Sequence, residues 1–341
     1  MMTNPTVSVL VTTYNHAPFV RECLASLAAQ TTRDFEIIIT DDASSDGTAK
    51  IIQQWLDETG TVATFVRNET NRGICANRNA ALDLAKGRFV CSLSGDDAYE
   101  PDRIACQVAY FERQPPDVAV VYSDMRMIDA HGRDLGLTFL DHVLGREPAP
   151  EAEVFSRLLS GSFMPSPAAM IRRTALDQVG PYDESLFYED YDMWLRLSAR
   201  FRFRHLPRCL VRYRVLPTSM SHSLASRPAM MASTARILQS WRGKVGPLES
   251  DLQWRIGLRQ ILQFEDREAR RSLALAGRHG ALTRRAIAKI FDLPGACFLA
   301  RKIYTVILAV RAMRLRYYFL RAAYGSRPCF TPPAGRLLEN S

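Results

Sequence analysis

Three groups of acids stand where chemistry would need them. Asp41 and Asp42 follow an apolar run at residues 35–40 (FEIIIT). Asp96 and Asp97 follow residues 88–93 (RFVCSL) across Ser94-Gly95. Glu189, Asp190 and Asp192 open a helical stretch that carries Trp194. Two acids after a glycine make a hard oxygen site suited to Mg²⁺ or Mn²⁺, ions that share coordination with substrate phosphates. Adjacent side chains diverge, so one acid on a metal and the other on a hydroxyl is the natural division. An Asp after a strand can also accept hydrogen bonds from a ribose or a base edge. Asp190 and Trp194 are four apart and share a helix face. Asp190 and Asp192 are about 200° apart, so only one can face a given site. A carboxylate at a helix N-terminus is held ionised by the helix dipole, which favours a charged, ready base. Taken singly, each group also reads as turn or cap chemistry, and Asp46-Gly47-Thr48 reads as a cap alone.

The elements that must position these acids alternate between strand and helix patterns. Val7–Thr13 (VSVLVTT) reads as a first strand, ended by Tyr14-Asn15-His16-Ala17-Pro18. Val20, Leu24 and Leu27 follow at helical spacing. Further strands are expected at 35–40, 62–67, 88–93 and 118–122, with helices at 48–58 and 75–86. Residues 131–150 read as loop, 151–160 as a short helix, 168–171 as a strand and Arg173–Val179 as a helix. Residues 202–205 and 209–214 read as two last strands. Such alternation argues for βαβ units and a largely parallel sheet. Ligands in such sheets sit beyond the carboxyl ends of the strands. Tyr14, Asp42 and Asp96-Asp97 each follow such an end.

The chain has 341 residues, 47% of them hydrophobic and 23% charged, a folded globular composition of about two domains. Seven cysteines without a CxxC pair read as reduced thiols. No charged residue precedes the first apolar run, which therefore reads as a strand and not a signal peptide. No uncharged apolar stretch reaches the length of a membrane span. The expected location is cytoplasmic, at the inner face of the membrane if it is attached there. No dinucleotide-binding GxGxxG follows the first strand, and neither a P-loop nor a GxSxG elbow is present.

The stretches VSVLVTTYNHAPFVRECLASLAAQ, FEIIITDDASSDGT, NRGICANRNAALDLAKGRFVCSLSGDDAYEPDRI and FYEDYDMWLRL, in that order, resemble the family 2 glycosyltransferases. The resemblance covers about residues 5–215. It implies the GT-A fold, an α/β nucleotide-diphospho-sugar transferase fold with a mostly parallel central sheet and helices on both faces. It also implies a nucleotide-diphospho-sugar donor, a UDP-sugar foremost, and inversion at the anomeric carbon. By resemblance Thr12 and Tyr14 border the base and Asp42 hydrogen-bonds its edge. Asp96 contacts the ribose, Asp97 binds Mn²⁺ or Mg²⁺ on the pyrophosphate, and Arg78 lies among the donor-site polar residues. Asp190 matches the catalytic base, with Glu189 and Trp194 supporting it and shaping the acceptor pocket. Some relatives add a histidine metal ligand after the last strand. Here Tyr213-Arg214-Val215-Leu216 puts a leucine there, leaving His222 as the substitute metal ligand. The QxxRW signature of processive polysaccharide synthases does not follow Asp190, which points to transfer of a single sugar.

Charge divides the chain. Residues 225–341 carry 21 Lys and Arg against 7 Asp and Glu, whereas residues 1–224 carry 23 against 29. The expected organisation is a catalytic domain over 1–224 and a basic, mainly helical region over 225–341. Basic residues interleaved with apolar ones there fit peripheral contact with an anionic membrane, bringing the enzyme to a glycan or lipid-linked acceptor. Packing on the catalytic domain or a dimer contact is the other reading of that region. A nucleotide-sugar-binding partner protein without turnover is the alternative function. No nucleic-acid motif is present.

Overall fold

The computed structural model describes residues 4–262 except 146, 217, 221, 222, 224 and 225, together with 268, 271–275, 297 and 300. The chain opens with β1 (Val7–Thr13), α1 (Val20–Ala28), β2 (Phe35–Asp41), α2 (Thr48–Thr59), β3 (Thr64–Arg67), α3 (Ile74–Leu84) and β4 (Phe89–Ser94). β1 pairs in parallel with β2 and β4, and β2 with β3. These strands are apolar almost throughout because helices cover both faces of the sheet. Their two-residue period sorts the side chains. Val7, Val9, Val11, Ile37, Ile39 and Cys91 pack with Leu24, Leu27, Ile52 and Trp55 of α1 and α2. Leu10, Ile38 and Val90 join the opposite core, with Ala81 and Leu82 of α3.

The second half adds β5 (Ala98–Tyr99), α4 (Arg103–Glu112), β6 (Val118–Ile128), β7 (Asp134–Thr138), α5 (Phe139–Leu144), α6 (Phe155–Leu159), β8 (Ala169–Arg172), α7 (Arg173–Val179), α8 (Asp190–Ser198) and β9 (Arg202–Arg214). The described chain then runs through α9 (Arg227–Ser240) and α10 (Glu249–Leu262). One sheet results, in the order β3-β2-β1-β4-β8-β6-β9-β5, with β7 on β6. β5, β7 and β8 run against the remaining strands, so the sheet is mixed beyond β4.

The register explains why the acids converge. Thr12 is level with Thr40 on one side and Ser94 on the other. The residues that leave these strands, Tyr14, Asp42 and Asp96, therefore emerge along one edge. Glycines serve two close approaches. A Cβ on Gly87 would stand 2.4 Å from the Ser8 backbone nitrogen, and one on Gly95 would stand 2.7 Å from Thr13 Cγ2 and 2.8 Å from His16 Nδ1.

Some expectations are corrected. Residues 131–150 are not simply loop. Gly132 forms the tight connection after β6, and β7 and α5 follow. Strand 118–122 continues to Ile128. The two expected last strands are one, β9, which carries Pro207 through a register shift opposite β6. The strand expected at 62–67 starts at Thr64, leaving Val62 92% exposed. Beyond residue 225, Ile237, Leu238, Leu252 and Ile256 of α9 and α10 join the buried cluster that contains Tyr191 and Trp194 of α8. The first part of the basic region thus packs on the sheet domain. The basic residues from Arg301 to Arg321 lie outside the described residues.

Candidate active site

A cleft of about 1160 Å³ opens along the edge where β1, β2 and β4 end. Thr12, Tyr14, Asp42, Arg78, Asp96, Asp97, Glu189 and Asp190 all line it. Trp194 does not, and His222 lies outside the described residues.

At the end of β2 the two acids part company. Asp41 is fully buried and accepts hydrogen bonds from Thr13 Oγ1 (2.9 Å), the Ser44 amide (3.0 Å) and Ser44 Oγ (2.5 Å). It organises a turn in which Ala43 holds φ 59°, a left-handed conformation costing a residue with a Cβ roughly 1–2 kcal/mol. Asp42 turns into the cleft. Its Oδ1 accepts from Asn68 Nδ2 (2.8 Å) and the Arg72 amide (2.9 Å), and its Oδ2 from the Gly73 amide (2.9 Å). Three of about four lone-pair sites are thereby used, and one remains for a ligand. Asn15, in the left-handed region at φ 55°, receives the Ser45 amide on its side-chain oxygen and ties the end of β1 to that of β2. Tyr14 beside it is 48% exposed, an aromatic face open at the cleft.

Asp97 is 2% exposed, and its Oδ1 accepts from the Arg214 amide at 2.8 Å. Burial pushes its carboxyl well above the usual range, and the charge of Asp96 pushes the same way against the pull of Arg214. Arg214 was missed in the sequence reading. Its guanidinium, also 2% exposed, donates to the carbonyls of Asp96 (2.9 Å) and Asp129 (2.9 Å) and pairs with Glu22. It clamps the turn that holds both acids, and only its place beside Leu216 marked that segment in the sequence. His16 was also missed. Its Nε2 stands 3.9 Å from Asp96 Oδ1, and its buried Nδ1 has no hydrogen-bond partner.

The donor set fits a divalent cation. A desolvated carboxylate beside a second acid is relieved when a cation approaches it, and both donors are hard oxygens. Among the described residues no three His, Cys, Asp or Glu form a cage of their own. An ion here would complete its shell with phosphate oxygens and water, the usual habit of Mg²⁺.

Asp190 begins α8 and is half-buried in the cleft wall. Its carboxyl is pushed up to about 7, first by burial and then by Glu189, against Arg78 and the amides of the helix start. The first-turn amides do favour the ionised form, as expected of a helix start, but desolvation outweighs them. Glu189 Oε1 pairs with Arg78 Nη1 at 2.8 Å, with side chains 11% and 6% exposed. Asp192 turns away from the cleft and holds Arg196 at 2.7 Å, whose guanidinium caps the end of α7 on the Val179 and Gly180 carbonyls. Trp194, one turn deeper, is 2% exposed and edge-on to Phe203. The expectation that it shapes the acceptor pocket does not hold, because only the first turn of α8 meets the cleft and the next enters the core. α9 and the residue before it supply wall residues instead: Ser226, Met230 and Thr234 line the cleft, and Thr234 Oγ1 lies 2.6 Å from Tyr188 Oη.

The family model described as Glycosyl transferase family 2 matches residues 8–180. A chondroitin synthase of Escherichia coli is 29% identical over 203 residues, covering 59% of this chain and 28% of that protein. Residues 1–349 of S. aureus TarS, solved with UDP-GlcNAc, superpose with a TM-score of 0.61 at 18% identity, covering 88% of this chain and 91% of that one. The mannosyltransferase PcManGT from Pyrobaculum calidifontis, solved with GDP-Man and Mn²⁺, gives a TM-score of 0.58 at 20% identity, covering 96% and 89%. At these identities the structures carry the fold, and it is the GT-A fold.

Proposed function

The chain belongs to glycosyl transferase family 2, and we propose that it moves one sugar, with inversion, from a nucleotide-diphospho-sugar to a hydroxyl of a glycan or lipid-linked acceptor in cell-surface polysaccharide synthesis. The observation that carries this reading is that Asp42, Asp97 and Asp190, from three distant parts of the sequence, line one cleft. A UDP-sugar is the first choice of donor, supported by the ligand of the TarS fragment. The polysaccharide context is supported by the chondroitin synthase similarity.

In this reading Tyr14 lies against the base and the free lone pair of Asp42 meets its edge. Asp96 contacts the ribose. Asp97 would hold Mn²⁺ or Mg²⁺, whose chemistry is to neutralise charge on the departing nucleoside diphosphate, and the Mn²⁺ of PcManGT supports this. Arg214 keeps both acids in place from behind. Asp190 accepts the proton of the acceptor hydroxyl as that oxygen attacks the anomeric carbon from the face opposite the diphosphate. A carboxyl pushed up to about 7 is deprotonated in about half of the molecules at neutral pH and is basic enough to work there. The α9 wall places the acceptor beside Asp190. No helix among the described residues is long and apolar enough to cross a membrane, so the approach to a lipid-linked acceptor would be peripheral, through the basic region after residue 225.

A thermal-shift screen of UDP-, dTDP- and GDP-sugars with and without Mn²⁺ or Mg²⁺ tests the reading. A metal-dependent rise in melting temperature with one donor family, followed by transfer from that donor, supports it. The absence of any response across the panel defeats it.

A further inference from the structure

We propose that Arg78 and Glu189 are a positioning pair for Asp190, a guanidinium anchored on the donor strands that ties the first turn of α8 to the floor of the cleft. This rests on the reading of Asp190 as the base, and it assigns Arg78 to the catalytic helix instead of to the donor. Arg78 projects from α3, buried among α3, β1, β4 and the α8 entrance. Its Nη1 lies 2.8 Å from Glu189 Oε1 and 3.2 Å from Ser92 Oγ on β4, and its Nη2 lies 3.5 Å from Thr12 Oγ1 on β1. The Tyr182 ring lies against the same guanidinium, 5.8 Å from centroid to carbon. A planar fork with fixed donor directions suits such a junction, and a lysine could not reproduce it. Glu189, at the helix start, has no side-chain capping bond to α8, so Arg78 is its ion-pair partner.

The pair also sets the charge around the base. Glu189 on its own element raises the Asp190 carboxyl, and Arg78 on α3 lowers it. The other titratable groups here are Tyr182, before α8, and Cys75, on α3, both held protonated by burial. Asp192 is occupied with Arg196, and α9 contributes the hydroxyls of Ser233 and Thr234 and the cation Arg236, which is held on Ser185 ahead of α8. Two single substitutions therefore act in opposite directions. Arg78→Met removes the cation and raises the pH at which Asp190 loses its proton. Glu189→Gln removes the anion, leaves Arg78 facing Asp190 and lowers it.

The experiment is a ¹³C-carboxyl titration of Asp-labelled protein, with Asp190 assigned by loss of its signal in Asp190→Asn. It reads the base directly, whether or not the protein transfers sugar. The expected shifts are about one pH unit up for Arg78→Met and about one down for Glu189→Gln. The acidic limb of the kcat–pH profile moves with them, while UDP affinity by calorimetry changes less than about threefold. Arg78→Lys falls between wild type and Arg78→Met. If one single variant fails to fold, the other decides by the direction of its shift. Single-variant titrations that do not move, or that move together, overturn the proposal, as does loss of UDP binding in Arg78→Met with an unmoved Asp190. Failure of the wild type to transfer any sugar would defeat the proposed function and leave the titration standing.

Discussion

The donor side of the cleft and the catalytic corner are built on opposite plans. Around β1 and β2 the acids and Asn15 are each held by more than one hydrogen bond. Asp41 takes three hydrogen bonds, Asp42 takes three, and Asn15 stitches the two strand ends together. At the corner, Asp190 is left half-buried beside a like charge, and one ion pair steadies its neighbour. The first plan fixes its side chains in one arrangement. The second leaves a carboxylate uncomfortable in its charged form, which is what makes it basic. Asp97 sits between the two, clamped by Arg214 yet raised by burial.

Substitutions can break this comparison or sharpen it. The largest effect is expected at Asp190→Asn, which should lower kcat on the order of 10²–10⁴-fold while donor affinity, by calorimetry, stays close to wild type. The same variant tests the strain. A carboxylate raised from about 4 to about 7 on folding destabilises the protein progressively as pH rises through that window, since the unfolded chain gives up its proton first. Asp190→Asn is therefore expected to melt higher than wild type at pH 8 and close to it at pH 4. Equal melting curves at pH 8 would mean that the corner is not strained.

Next in size is Asp97→Ala. It should abolish the effect of Mn²⁺ or Mg²⁺ on donor binding, read as the loss of the metal-dependent part of the thermal shift. Arg214→Ala, which acts from behind, is expected to weaken metal-dependent donor binding by roughly 10–100-fold, the usual cost of losing a supporting contact. The smallest effect is expected at Asp192→Asn, with kcat unchanged and stability lowered by no more than about 1 kcal/mol. A large loss of activity there would mean that the two faces of α8 had been assigned the wrong way round.

Much of the donor side was legible beforehand, for a physical reason. β1, β2 and α7 were bounded correctly or within a residue because buried parallel strands and short amphipathic helices write their pattern locally. The motif residues follow those strands directly, so locating the strand locates the acid. The corner and the second half were harder. β7 and α5 lie in a stretch whose glycines and prolines read as loop, and their order comes from pairing with β6 and packing on it. Trp194 has the right spacing to share a face with Asp190, but spacing does not say how far along a helix the cleft extends. Arg214 carries no local signal, because its role is to meet two acids more than a hundred residues earlier.

The order of residues alone determined the chemistry on offer: oxygen donors after strands, an acid at a helix start, a family pattern and a basic C-terminal region. Only the tertiary structure decided that Asp42 and not Asp41, and Asp190 and not Asp192, faces the cleft while Asp96 and Asp97 both line it, since neighbours in sequence point apart and packing chooses between them. It also decided how basic Asp190 is. Desolvation and the charges of Glu189 and Arg78 act through space, and the distances that set them exist only once α3, β1, β4 and α8 have packed together.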